Sequence, residues 1–541
     1  EFPFFSFLLG DLHPHVLALP FAFVCLGFAL NFLRSTDEFY FSRWREHAFE
    51  IGFVALVFGS MFLLNAWDML TYLFVLVCAF AARRFISRPV FDFRWLRDAA
   101  AFGFGSLILA VGVYWPFYLT FRSQATGLLG LVKLHSHLSY FLLFWGPFFF
   151  LAASLVIAEL AFGWSPLPGG LVRRSGPRWT NGPFVWVALV VVSIGCLFAD
   201  APALSLIIPI GVGSIILILR YLSGETMPIP SVVRQSVKDG PAVAARREDR
   251  GAAVAGGAIP ASVATEHVFA LILVFVAMLL LLGTELVYIK DSFDSRMNTV
   301  FKLYFQAWVM LALVGGYAIV ALGSGPFRGR VARERVARAR RPDDESRPAT
   351  ATRLGVLGWL VATAAILGAA FIYVPASVEA RSNGFTNEAT LNGLAYYQRS
   401  QPDDAAAIGW LNQHVSGTPT LVEATGGSYS AFGEVAWMTG IPTLLGWDFH
   451  EIQWHGASVV PIEDERKRDI DAIYRSTDAR ATLDLLAKYG VTYVYVGPME
   501  RQVYGQNPAG LSKFSQFMDV IYPGPGTPNQ SVTIFKIRGT E

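Results

Sequence analysis

Charge is what this sequence has least of. Lys, Arg, Asp and Glu make up 16% of 541 residues, where a soluble globular protein carries about a quarter. The deficit excludes a chain that is soluble throughout. A net charge of only +2 gives no reason to expect a nucleic-acid partner. Cysteine is scarce too: Cys25, Cys78 and Cys196 all lie inside apolar runs, which excludes a disulfide framework or a thiolate metal site. No GxGxxG or Walker pattern is present, so Gly426-Gly427 is not a phosphate loop. No internal repeat is visible, which weighs against inverted-repeat transporters. There is no initiator Met and no signal peptide. Because Glu1 already stands inside a motif-like stretch, the chain reads as a fragment whose N-terminal part is missing.

Apolar residues fill the space that charge leaves. Hydrophobic types reach 54% and aromatic types 14%, with a mean hydropathy of +0.45. About ten runs are of the order needed to cross ~30 Å of hydrocarbon: 14–33, 48–65, 69–82, 99–120, 138–161, 183–199, 201–222, 267–289, 299–322 and 354–374. The expected fold is a polytopic α-helical membrane domain over 1–375 followed by an α/β domain over 376–541. The third run is short and follows the second across Asn65-Ala-Trp-Asp68, so that pair could instead be a re-entrant element.

Arg and Lys set the orientation. The connections 83–97, 163–182, 223–266 and 324–353 are basic and separated by pairs of runs, so all four can be cytoplasmic. The last two are rich in Ala, Gly, Pro and Arg and read as flexible linkers. The opposite face then collects Asp11, His13 and His15; Asn65 and Asp68; Lys133, His135 and His137; Asp200; and the stretch 284–298. It also receives everything after the last run.

Two outward stretches carry candidate chemistry. In Gly10-Asp-Leu-His-Pro-His15, Asp11 could cap the next helix while His13 and His15 bond locally. Alternatively, Asp11 is a carboxylate base and the imidazoles are phosphate contacts or ligands of a divalent metal, though the spacing fits no single zinc class. In Glu285 to Asn298, mixed charge could form a structural ion-pair cluster. Alternatively, Arg296 and Lys302 receive a phosphate while Asp291 or Asp294 binds a cation or a hydroxyl. Asp68 is either an interhelical bond or a substrate contact. In the α/β domain, Trp447, His450, Gln453 and Trp454 combine ring faces with hydrogen-bonding groups. They suit either stacking on a sugar or docking onto the membrane part.

The phrases EFPFFSFLLGDLHPH, NAWD, RMNTVFKLYFQAW, GWDFHEIQWHG and KYGVTYVYVG resemble the uncharacterised YYY membrane protein family. That family carries a tyrosine cluster and an acidic loop upstream of the EFPFF stretch, which this chain lacks. Its arrangement is similar to the C-type membrane glycosyltransferases, which join many helices to an extracytoplasmic domain and use polyprenyl-phosphate sugars. The resemblance implies a sugar transferase of the plasma membrane acting on a cell-envelope glycan, lipid or protein, with the C-terminal domain outside. The implied partners are the bilayer and a lipid-linked sugar. The C-type transferases take a catalytic acid from their first outer loop, which is expected to lie in the missing N-terminal part, so no residue here is equated with it. The catalytic carboxylate is either that upstream acid or Asp11, a candidate second acid, with His13 and His15 as the other catalytic candidates. Arg296→Ala and Asp11→Asn are expected to abolish transfer with folding intact. The rival readings are a transporter or flippase of a lipid-linked substrate and a non-catalytic polysaccharide-binding or assembly protein.

Overall fold

The computed structural model describes residues 3–10, 12–35, 45–88, 90–121, 127, 129–162, 183–222, 261–291, 294–337, 350–386, 390–524 and 531–539. The chain divides into two compact units, Glu1–Phe121 with Leu128–Gly384, and Arg122–Gly127 with Phe385–Glu541.

The first unit is helical. In chain order it contains α1 (Pro3–Leu9), α2 (Pro14–Arg34), α3 (Ala48–Leu64, with a π turn at Val54–Phe58), α4 (Ala66–Ser87), α5 (Phe93–Val113) and α6 (Trp115–Thr120). There follow β1 (Leu129–Leu131), α7 (Leu138–Phe162), α8 (Pro183–Phe198), α9 (Leu204–Leu222), α10 (Ala261–Leu286) and β2 (Val287–Ile289). The unit closes with α11 (Met297–Ala337), α12 (Thr350–Phe371) and α13 (Tyr373–Arg381). Among the described residues eight helices are long and apolar enough to cross a membrane, and Ala48–Leu64 and Val187–Phe198 are shorter apolar helices.

Three expectations need correction. The third run is not short: α4 has 22 residues, because Ala66 to Asp68 begin the helix instead of forming a loop. Asn65, in an extended conformation, is the whole break between α3 and α4. The linkers 324–353 and 223–266 are helical at one end each, since α11 runs on to Ala337 and α10 begins at Ala261. Ala and Arg are good helix formers, and a helix already nucleated in the bilayer extends through them. The expected cytoplasmic segment 163–182 lies outside the described residues.

Small residues permit close helix approach. A Cβ on Gly59 would lie 2.7 Å from the Ala110 carbonyl oxygen and from the Tyr114 ring, and the Tyr114 hydroxyl donates to the Leu56 carbonyl at 2.9 Å. Gly59→Ala is therefore expected to cost about 1–3 kcal/mol, the usual penalty for overpacking. Thermal unfolding in detergent would read this as a lowered midpoint.

The second unit is α/β. It contains α14 (Ala395–Ser400), α15 (Pro402–His414), β3 (Thr420–Val422), α16 (Glu434–Thr439), α17 (Asp448–His455), α18 (Val460–Arg475), α19 (Ala479–Lys488) and β4 (Val491–Val496). After these come α20 (Pro498–Tyr504), α21 (Pro508–Ser512), α22 (Phe514–Phe517), β5 (Met518–Tyr522) and β6 (Thr533–Ile537). The sheet order is β3-β4-β6-β5, with β3 and β4 parallel and the remaining pairs antiparallel. Thr443 adds a parallel bridge to Leu421 on the far side of β3. Val422, Val494 and Val496 pack beneath Ile470, Ile473 and Tyr474 of α18. The fully buried Tyr474 hydroxyl reaches the carbonyls of Val422 and Tyr495 at 2.9 and 2.8 Å, tying β3 to β4. Strand β5 was not anticipated from its sequence, where only Val520 and Ile521 break a mixed pattern.

Candidate functional site

Three clusters gather the residues singled out from sequence, two at one end of the helical unit and one in the α/β unit. Asp11 lies outside the described residues.

The first cluster is built on α11. Phe301 and Phe305 lie one turn apart, and the stacked rings of His13 and His15 pack against them at centroid distances of 4.8–5.1 Å. The imidazoles approach Nδ1 to Nδ1 at 2.9 Å. Since the His15 backbone N–H donates to His13 Nδ1 at 3.4 Å, His15 Nδ1 carries the ring proton between them. The next pair on the same face, Lys302 and Gln306, meets the start of α4. Gln306 donates from Nε2 to Asp68 Oδ1 at 2.6 Å, and Thr71 donates to Gln306 Oε1 at 2.6 Å. The Lys302 ammonium stands 4.8 Å from the Trp67 ring centroid, a cation–π distance. The cluster thus has two layers. His15, Asp68 and Gln306 are buried, whereas His13, Trp67 and Lys302 are partly exposed. Asp68, for which the sequence left open an interhelical bond or a substrate contact, is buried and joins α4 to α11 through Gln306.

The second cluster lies where α10 ends and α11 begins. Glu285 is fully buried. It accepts from Arg296 Nη1 at 2.8 Å, from Ser136 Oγ at 2.5 Å and from the Ser136 backbone N–H at 2.9 Å. Arg296 also donates to the Thr284 carbonyl and to Ser136 Oγ, and His135 Nδ1 stands 3.6 Å from Glu285. Of the two readings of this stretch, a structural ion-pair cluster or a phosphate contact at Arg296, the Arg296–Glu285 contact is that of a buried ion pair. Asp291 accepts from Asn298 at 2.6 Å, and Asp294, exposed, accepts from Tyr288 at 3.1 Å. Strand β2 pairs with β1 ahead of this loop.

The same contacts show that the amino ends of α2, α4 and α11 and the carboxyl end of α10 share one end of the unit. The opposite end holds a cluster that sequence reasoning missed. Glu159 of α7 lies 2.9 Å from His267 Nε2 and accepts from the Tyr221 hydroxyl at 2.7 Å. His267 Nδ1 meets Tyr317 at 2.9 Å. The available signal was one acid and one histidine, each alone in an apolar run.

The third cluster is in the α/β unit. Trp447 precedes α17, and His450, Gln453 and Trp454 lie on it. Tyr429, not anticipated, joins them from the loop after β3. Its hydroxyl is 3.2 Å from His450 Nδ1 and 3.0 Å from Gln453 Oε1, and its ring is 5.3 Å from that of Trp447. Asp448 accepts from Lys467 at 2.5 Å and from Ser428 at 3.0 Å. Burial opposes its ionisation, but these partners and the Phe449 N–H outweigh it and hold the carboxyl below its usual range. Behind this face two buried glutamates brace the strand exits. Glu423 accepts from the N–H groups of Val435 and Ala436, and Glu500 from those of Ala424 and Gly497.

For the divalent metal expected at Asp11, His13 and His15, the described residues supply two imidazoles. Among the described residues no three His, Cys, Asp or Glu side chains come together as a ligand set.

Many apolar helices of spanning length, with polar groups gathered at their ends, define a multi-pass helical membrane protein with an appended α/β unit. The chain belongs to the family of uncharacterized membrane proteins DUF2298, whose model matches residues 1–311. That match includes the His13–Lys302 and Glu285–Arg296 clusters and excludes Phe385–Glu541. No curated protein matches the chain.

Proposed function

We propose that this protein is a membrane glycosyltransferase that takes a polyprenyl-phosphate-linked sugar at the extracytoplasmic face of the plasma membrane and passes it to a cell-envelope acceptor. The observation that carries this reading is the Lys302 ammonium held over Trp67, beside His13, at the rim of an apolar helix bundle. A cation at that depth suits a phosphate whose lipid tail stays in the bilayer. The resemblance to the YYY family and to the C-type transferases points the same way.

In the proposed reaction an acceptor hydroxyl attacks the anomeric carbon. The bond from that carbon to the phosphate oxygen breaks, and polyprenyl phosphate departs with the electron pair. The hydroxyl proton passes to a carboxylate, for which Asp11 is the candidate. Lys302 and His13 stabilise the charge that develops on the departing phosphate. His15, Asp68 and Gln306 position them, and Arg296 shapes the loop carrying Asp291 and Asp294.

Purified protein in proteoliposomes, given radiolabelled polyprenyl-phosphate sugars, tests this. Lys302→Ala, His13→Ala and Asp11→Asn are each expected to slow transfer roughly 100-fold or more, as loss of a charge-stabilising or proton-accepting group does. Unchanged rates in Lys302→Ala and His13→Ala would remove this site from the chemistry.

A further inference from the structure

Tyr429 has φ +58, a strained left-handed backbone that a bulky residue keeps only where its surroundings hold it there. What holds it is a chain of hydrogen bonds with one consistent direction. Trp454 donates from Nε1 to His450 Nε2 at 2.9 Å, so that nitrogen is bare and His450 Nδ1 bears the proton. His450 Nδ1–H therefore donates to the Tyr429 oxygen, and the Tyr429 hydroxyl donates to Gln453 Oε1. One donor remains: Gln453 Nε2 is buried and has no acceptor among the described residues.

The same bonds decide which parts of the rings are offered outward. The Trp454 N–H is spent on His450 and the Trp447 N–H on the Phe432 carbonyl at 2.6 Å. Their polar edges are turned into the protein, yet Trp454 stays 60% and Tyr429 59% exposed. Tryptophans that anchor in a bilayer interface use that N–H toward headgroups; these do not. The place in the fold matters as well. The loop bearing Tyr429 leaves the carboxyl end of β3, and Trp447 follows the parallel bridge at Thr443. Carboxyl ends of adjacent parallel strands are where open α/β sheets receive ligands.

We infer that Tyr429, Trp447 and Trp454 form a binding ledge for a neutral glycan, with Gln453 and His450 holding the Tyr429 ring in place. A sugar ring presents an apolar C–H face with hydroxyls around its edge. The C–H face matches the exposed aromatic faces of Tyr429 and Trp454. The inference adds a ligand class to the transferase reading, but binding here needs neither donor lipid nor transfer.

The test is titration of the full-length protein in nanodiscs with a panel of neutral soluble oligosaccharides, of pyranose and furanose type, followed by tryptophan fluorescence and calorimetry. Saturable binding by at least one of them is expected. Tyr429→Gly is the informative variant, because glycine adopts this φ without strain. Its unfolding midpoint should be unchanged or higher while binding weakens roughly tenfold or more, and Trp454→Ala should weaken binding similarly. The inference is overturned if no member of the panel binds, or if both variants bind as the wild type does. It is also overturned if brominated lipids quench Trp454, which would seat the patch in the bilayer. Glycan binding without any sugar transfer would sink the transferase reading and leave the ledge intact.

Discussion

Arg296→Ala is expected to destabilise the helical unit by about 3–5 kcal/mol, the usual effect of removing one partner from a buried ion pair. The reason is Glu285, which is fully buried and relies on Arg296 Nη1 at 2.8 Å for its counter-charge. Without the guanidinium, Ser136 is left as its principal hydrogen-bond partner. Arg296→Lys should recover only part of the loss, because a point ammonium cannot reach Glu285, the Thr284 carbonyl and Ser136 together. The double variant Glu285→Gln/Arg296→Gln, which removes both charges, should unfold at a higher temperature than Arg296→Ala alone. If Arg296→Ala melts within a degree or two of wild type in detergent, the pair is not structural. The sequence alone led to an intact fold in this variant; the buried pair with Glu285 leads to the opposite expectation, so lost transfer in it would not by itself indicate a phosphate contact.

The α/β unit should lose stability as pH rises from about 5 to about 8. Burial, reinforced by the neighbouring charge of Glu500, pushes Glu423 up to about 8. Burial likewise pushes Glu500 up to about 7. In the unfolded chain both titrate near ~4.3. Between those values the folded unit holds more protons than the unfolded one. The stabilisation is therefore complete below ~4.3 and is lost as pH climbs through about 7 to 8. The swing should be on the order of a few kcal/mol, since each pKa unit is worth about 1.4 kcal/mol. Lys513 works in a different window. Burial lowers its pKa to about 8, so it adds stability only as pH rises from there toward ~10.4. The measurement is protease resistance of the second unit in the full-length protein, from pH 5 to pH 8, corrected for protease activity. Glu423→Gln should flatten the upper part of that profile. Resistance that stays level or rises with pH would show that the backbone N–H groups facing these carboxylates keep them ionised.

The apolar runs were legible because a bilayer demands about twenty consecutive residues that hide their own backbone groups. No neighbour is needed to make that pattern. Strand β4 was legible for a related reason: Val491 to Val496 is a short run of β-branched and aromatic residues. The α4 start was misread because Asn65 to Asp68 resembles a turn, yet Ala66 and Trp67 are helical and Asp68 is held by Gln306 from 238 positions away. Tyr429 carried no signal at all, since its strain and its partners arise only when the β3 loop meets α17.

The linear chain by itself determined that this is a multi-pass membrane protein followed by an α/β unit, because composition and periodicity act within a single segment. Which polar side chains stand exposed and which are spent on each other was decided by tertiary structure alone. Lys302 stays partly open over Trp67, whereas Arg296, also cationic and six residues earlier, is closed on Glu285. The physical reason is that the availability of a charged group depends on the nearest counter-charge in space, and that separation is set by helix packing rather than by position along the chain.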